Sequence, residues 1–148
     1  MPQLSELADV PPPVADVPAP RIVADEHSVT LSYVAGAEGN SVLPPARVSI
    51  HLSGVHSCVF GAPNDEALAG HPLYPAGLRP YSVFEAHESD WLRRVERENR
   101  VHPQHDPELY RGYRYLIWTF HDSTFECLAR HLQYSLGDDV SETHGAIR

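Results

Sequence analysis

Residues 113–136, YRYLIWTFHDSTFECLARHLQYSL, constrain the fold more than any other part of the chain. They predict two long apolar strands that meet at a tight polar corner, His121-Asp122-Ser123. From residue 115 to residue 120 the side chains are apolar on both faces of the predicted strand. A strand that is buried on both faces belongs in the middle of a sheet that is covered on both sides. We therefore expect a central hairpin here, with its polar corner at one end of the sheet.

The remaining pattern predicts an α+β fold. Alternation of apolar and polar residues predicts strands over residues 28–34 and 47–53, and weaker patterns predict strands over residues 55–60, paired with the second strand, and 81–87. Ser89 is a good N-cap for a helix that runs to about residue 100, with Trp91, Leu92 and Val95 as its apolar stripe. We expect an antiparallel sheet of about five or six strands with this one main helix packed on it.

The composition divides the chain into three parts. Residues 1–26 contain six prolines among alanine, valine and acidic residues, and predict a disordered, proline-rich acidic arm. Residues 27–136 predict a single globular α+β domain, and residues 137–148 a frayed polar tail. A chain of 148 residues is long enough for such a domain to bury a core.

The formal net charge is −9, and neither the first 26 residues nor the remainder carries a basic stripe. This argues against binding to nucleic acid or to an anionic membrane, and it suits a basic protein partner. No signal segment and no apolar run of membrane-spanning length is present, so we expect a cytoplasmic protein. Two cysteines, Cys58 and Cys127, form no disulfide framework or metal motif and predict free thiols.

Ten histidines are an excess for a chain of this length, and histidine titrates near neutral pH. The most suggestive group is His121 as a general base, with Asp122 or Glu126 to orient it. If the strand at residues 47–53 lies beside the central hairpin, His51 or His56 also approaches this group. Such a set would suit acid–base chemistry or a divalent metal. The competing interpretation is that Asp122 and Ser123 only form the turn between two strands.

The long irregular stretch from residue 60 to residue 80 supplies further candidates for ligand binding. Asp65 and Glu66 are adjacent carboxylates that could serve as a base or bind a metal, or could sit in a helical turn capped by Asn64. His71 and Tyr74 could belong to a lid over a pocket, or could anchor the loop.

A second set of metal-type residues lies after the helix. His102, His105 and Asp106 flank a proline in a predicted loop. They could bind a metal, or could fill capping and surface roles.

Three strings resemble a group of small bacterial proteins with no assigned activity: FGAPNDEALAGHPLY, NRVHPQHDP and FHDSTFEC. The resemblance covers roughly residues 47–131. It implies a self-standing bacterial cytosolic domain, and it transfers no catalytic or binding residue.

Two functional hypotheses follow. The first is a small accessory, regulatory or immunity-like binding domain, whose face combines the 61–80 loop with the turns at 102–106 and 121–123. It would bind a basic protein partner or a small molecule. The second is a small His/carboxylate enzyme, with or without a divalent metal, whose residues must converge on one pocket. A further hypothesis is a homodimer formed through exposed apolar residues of the loop: Leu73, Tyr74, Leu78 and Tyr81.

Overall fold

Two antiparallel sheets pack face to face in the computed structural model, which describes residues 2–36 and 45–137. Sheet A has five strands in the order β1 (Gln3–Glu6), β6 (Val83–His87), β7 (Arg114–Thr119), β8 (Thr124–Ala129) and β5 (Ser57–Gly61). Sheet B has four, in the order β2 (Arg21–Ala24), β3 (Ser28–Ala35), β4 (Ala46–Ser53) and β9 (His131–Leu136). The described part of the chain is therefore mostly β and broadly α+β, with one α-helix.

The core between the sheets follows from period-2 alternation, because every second side chain of a strand points to the same face. Sheet B and sheet A each contribute their inward side chains to one apolar cluster, which includes Leu31, Tyr33, Ile50, Leu52, Leu116, Trp118, Phe125 and Cys127. Each of these side chains is fully buried.

The outer face of sheet A carries a second apolar cluster. Helix α1 (Asp90–Glu98) and the 3₁₀ turns Asp65–Gly70 and Tyr74–Ala76 cover this face, with Leu68, Leu73, Leu78 and Val95 buried against Phe84, Ile117 and Leu128. Ser89 caps α1 as predicted, since its hydroxyl accepts from the Leu92 amide at 3.3 Å. Strand β7 is thus covered on both faces, which confirms the prediction of a central strand.

The predicted fold contained one sheet, and the structure has two. Strands β4 and β5 do not pair as a hairpin, because the chain leaves sheet B at residues 54–56 and enters sheet A beside β8. The predicted strand after the polar corner is broken at Arg130, whose amide bonds to the Ser53 carbonyl at 3.1 Å. Beyond Arg130 the chain continues as β9 in sheet B. The alternating apolar positions shift by one residue at this crossing, from Phe125, Cys127 and Ala129 in β8 to Leu132, Tyr134 and Leu136 in β9, and the single predicted strand did not take account of that shift.

The proline-rich N-terminal segment is not the predicted disordered arm. Its residues form β1 on sheet A and β2 on sheet B, paired with β6 and β3. Between them the Pro11 carbonyl accepts from the Tyr33 hydroxyl at 2.5 Å, and the Pro18 carbonyl accepts from the Val34 amide at 2.7 Å. Proline has no amide donor, but its carbonyl still accepts, and it is tolerated at a sheet edge. The predicted polar tail, apart from Gly137, lies outside the described residues.

None of the helices in the described ranges is both long enough and apolar enough to cross a membrane.

Candidate functional site

A cleft of about 800 Å³ opens on the outer face of sheet A. One wall is the segment of residues 62–73, and the other is the start of α1. Tyr115 of β7 and Glu126 of β8 form its floor, and Val59 of β5 marks its edge. We call this space the Glu126 cleft, after the one acidic side chain on its floor.

Glu126 is fixed by two donors that converge on the same oxygen. His71 Nε2 lies 3.0 Å from Glu126 Oε1, and the Tyr115 hydroxyl also donates to Oε1. The other ring nitrogen of His71, Nδ1, accepts from the Leu73 amide at 3.0 Å. Because Nδ1 accepts, the ring proton lies on Nε2, and His71 donates to the carboxylate. The geometry therefore sets both the tautomer of His71 and the position of Glu126.

The Glu126 carboxylate is ionised although only 14% of its side chain is exposed. Burial raises its pKa, but the hydrogen bonds from His71 and Tyr115 outweigh that effect, and the pKa lies below its ordinary value. Oxygen Oε2 receives no hydrogen bond from any residue in the described ranges, while Glu126 lines the cleft. Since no buried side-chain oxygen in the described ranges lacks a partner, Oε2 is accessible and remains open to an added donor.

Aromatic and charged side chains complete the walls. The Trp91 and Tyr115 rings meet edge to face, with centroids 4.9 Å apart, and Trp91 is only half-buried. Arg94 and Asp90 of α1 lie on the same wall. The cleft combines aromatic surface with a buried anion on its floor and one charge of each sign at its rim.

His121 belongs to a different cluster from the one predicted. Its Nδ1 lies 2.9 Å from Asp65 Oδ2, and the Tyr81 hydroxyl donates to the same Asp65 oxygen. The hydrogen bond from Tyr81, followed by the one from His121, lowers the pKa of Asp65. Asp122 is only a distant partner, with its Oδ1 3.8 Å from His121 Nε2. Glu126 pairs with His71, so the predicted His121–Glu126 pairing is wrong.

The expected approach of His51 or His56 to this corner is also wrong. His51 lies on β4 of sheet B, where its Nδ1 is 3.4 Å from the Thr30 hydroxyl. His56, the residue immediately before β5, packs edge to face against Tyr110 and Tyr113. The strand of His51 is in the other sheet and does not neighbour the central hairpin.

The residues after α1 do not form the suggested metal set. His105 Nε2 lies 2.9 Å from Glu96 Oε2, while His102 accepts from the Gln104 amide and Asp106 caps the 3₁₀ turn Pro107–Tyr110. Within residues 2–36 and 45–137, no group of three or more His, Cys, Asp or Glu side chains is placed to hold a metal ion.

The other candidates from the long loop have structural roles or lie exposed. Asn64 caps the turn Asp65–Gly70 by accepting from the Ala67 amide at 3.0 Å, as its sequence position predicted. Glu66 and Tyr74 are exposed. Leu73 and Leu78 are buried against sheet A, so the suggested dimer surface is not an exposed apolar patch.

Sequence reasoning selected Glu126 and His71 but did not pair them, and it missed Tyr115, Trp91 and Arg94 as cleft residues. A signal for Glu126 was present, because it is a lone acid in an otherwise buried strand, which requires a partner. Its partner His71 is 55 positions away in the chain, and nothing local links the two.

Comparisons with protein-family models, with curated proteins and with solved structures found no match, so the function is inferred from the geometry of the cleft.

Proposed function

We propose that the protein is a binding domain whose Glu126 cleft holds a positively charged group, either a basic side chain of a protein partner or a small cationic molecule. The observation that carries the proposal is the state of Glu126. Its carboxylate is ionised, mostly buried and fixed through Oε1, while Oε2 accepts from no donor among the described residues and Glu126 lines the cleft. A buried anion gains most from a cation that completes its hydrogen bonds.

The surroundings suit a cation as well. Trp91 and Tyr115 supply ring faces and edges, and a guanidinium or ammonium group is attracted to aromatic faces once it leaves water. The net charge of −9 also attracts cationic ligands over a longer range.

Binding has better support than the alternative, a His/carboxylate enzyme. Both ring nitrogens of His71 are already engaged, so it has no free site for proton transfer. The lowered pKa of Glu126 makes it a weak base. His121 lies with Asp65 rather than in the Glu126 cleft, so the residues expected for catalysis do not converge.

The test is a titration with Nα-acetyl-arginine N-methylamide, followed by protein fluorescence and by the indole NMR signal of Trp91. Trp91 lies in the cleft, whereas Trp118 is fully buried in the core and serves as an internal reference. We expect saturable binding that shifts the Trp91 signal, and no shift with the citrulline analogue, which lacks the charge.

Glu126→Gln should abolish the shift, because the amide keeps an acceptor for His71 and Tyr115 but carries no charge. The matched control is Glu26→Gln, which removes the same charge from an exposed position between β2 and β3. Equal binding of arginine and citrulline compounds, or undiminished binding by Glu126→Gln, would refute the proposal.

A further inference from the structure

We propose that the natural ligand is an extended segment of a partner protein, which adds to β5 as a sixth strand of sheet A and places one basic side chain in the Glu126 cleft. This inference rests on the proposed function and specifies its ligand. It predicts the backbone geometry, the register and a three-residue pattern in the partner.

Strand β5 offers an open edge. It lies at the end of sheet A and, among the described strands, pairs only with β8. Its central side chains are exposed, with Val59 at 51% and Phe60 at 48%. The strand, SCVFG, contains no charged residue and no proline, which are the features that commonly block pairing at an edge.

The hydrogen-bond alternation shows which backbone groups of β5 face outward. The Phe120 amide bonds to the Ser123 carbonyl at 2.8 Å, which makes these two residues a hydrogen-bonded pair at the β7–β8 hairpin. Hydrogen-bonded and non-bonded pairs alternate along an antiparallel ladder, so Phe125 and Cys127 direct their backbone groups towards β7. Glu126 and Leu128 consequently direct theirs towards β5, in agreement with the His56 amide bonded to the Leu128 carbonyl at 2.8 Å.

It follows that Val59, opposite Glu126, uses its backbone groups to bond β8. Cys58 and Phe60, the residues on either side, direct their amide and carbonyl groups away from β8. These are two donors and two acceptors in the spacing that an antiparallel strand requires. An added strand would bond to Cys58 and Phe60 and would leave its own central residue opposite Val59.

The side-chain faces connect this edge to the cleft. Val59 and Glu126 are directly paired, and both line the Glu126 cleft on the outer face of sheet A. A residue opposite Val59 projects to the same face, about 10 Å from Glu126, which is two strand spacings. The aliphatic stem of an arginine or lysine can lie across Val59 while its charged head reaches Glu126 Oε2.

The neighbouring positions of the added strand point to the other face. There they meet Cys58 and Phe60, whose ring packs at 6.5 Å from the ring of Phe125. Apolar residues suit these two positions because they would cover the exposed half of Phe60. The partner motif is therefore apolar–basic–apolar.

Charge selects a basic partner over a second copy of this chain. A second β5 paired about its centre would place valine opposite Val59, and it would bring no basic residue from SCVFG to Glu126. A basic segment supplies the missing donor and is also favoured by the net charge of −9.

The test uses isothermal titration calorimetry of the full chain with the peptide acetyl-Gly-Val-Arg-Val-Gly-amide. N-methylation of both valines removes the amides that would bond to the Cys58 and Phe60 carbonyls, and it should weaken binding about tenfold or more. N-methylation of the arginine is the matched control, because that amide would point away from β5, and it should change affinity less than about twofold. Citrulline in place of arginine should weaken binding about tenfold or more.

A protein variant tests the same edge from the other side. Phe60→Pro removes an outward amide and leaves the bonds to β8 intact, whereas Phe60→Ala removes the ring and keeps the amide. We expect Phe60→Pro to bind the peptide more weakly than Phe60→Ala, and both to bind Nα-acetyl-arginine N-methylamide as the unchanged protein does. On peptide binding, hydrogen exchange should slow at the amides of Cys58 and Phe60.

Each other outcome overturns the inference in a recognisable way. If all the arginine peptides bind alike and the single-residue compound binds too, the strand addition is wrong and the proposed function stands. If neither the peptides nor the compound bind, the proposed function fails as well. If the protein without peptide dimerises in sedimentation with the Cys58 and Phe60 amides already protected, the edge is occupied by a second copy.

Discussion

Glu126 lies on a covered sheet face, where two hydrogen bonds offset the free-energy cost of burying its carboxylate. Its two donors, His71 and Tyr115, are 9% and 7% exposed and would themselves lack partners without the carboxylate. A buried donor that loses its acceptor costs free energy, because in the unfolded chain it bonds to water. The group is therefore mutually dependent, and its structural and binding roles can be separated by the choice of substitution.

We predict that Glu126→Ala lowers the free energy of unfolding by about 1–3 kcal/mol, since it leaves the His71 and Tyr115 donors without an acceptor. Glu126→Gln keeps an amide oxygen for them and should cost clearly less. Urea unfolding at neutral pH measures both values. Equal loss in the two variants would show that the charge, and not the acceptor, stabilises this position.

At the scale of elements, Glu96 ties the end of α1 to the following turn. Its carboxylate accepts from Arg100 at 2.8 and 2.9 Å and from His105 Nε2 at 2.9 Å. The Asn99 amide lies 2.8 Å from His105 Nδ1 and holds the ring in that orientation. The hydrogen bonds from Arg100, followed by the one from His105, lower the pKa of Glu96 to about 2 from an ordinary value of 4.5.

Because the folded pKa of Glu96 is lowered, its ionisation stabilises the fold above pH 4.5, and this contribution is lost as the pH falls towards 2. We predict that Glu96→Gln unfolds at lower urea concentration than the unchanged protein at pH 7, and that the difference shrinks progressively between pH 4.5 and pH 2. Urea unfolding at several pH values tests this. A difference that stays constant with pH would mean that the ion pair with Arg100 adds no net stability.

Elements with a strong local signal were predictable, and their partners were not. Ser89 and the apolar stripe of Trp91, Leu92 and Val95 predicted α1 correctly, because capping and helical periodicity are local properties. Strand β7 was also predicted correctly, because its run of apolar residues is likewise a local property of the sequence. Glu126 was identified as a candidate residue, but its pairing with His71 depends on the path of the 62–73 segment over sheet A, which no local pattern encodes.

At the scale of the whole molecule, the second sheet was missed because its two edge strands, β2 and β9, were not predicted as separate strands. Only Arg130 separates β8 from β9, so the two were interpreted as one strand, although their alternating apolar positions shift by one residue between them. Strand β2 lies in a proline-rich segment whose composition is typical of disorder. Composition describes what a segment does alone, whereas here the carbonyls of the segment accept hydrogen bonds from Tyr33 and Val34 of β3, which order it.

The N-terminal segment should therefore contribute to the stability of the whole fold. Val10 is 3% exposed within the core between the sheets, whereas Val17, in the same segment, is 72% exposed. We predict that Val10→Ala lowers the free energy of unfolding by about 2 kcal/mol, because it removes buried apolar surface and leaves a small cavity. Val17→Ala removes the same two methyl groups from a solvated side chain and should change the free energy by less than about 0.5 kcal/mol. Urea unfolding gives both values, and an equally small effect of the two substitutions would mean that the segment behaves as an independent arm in solution.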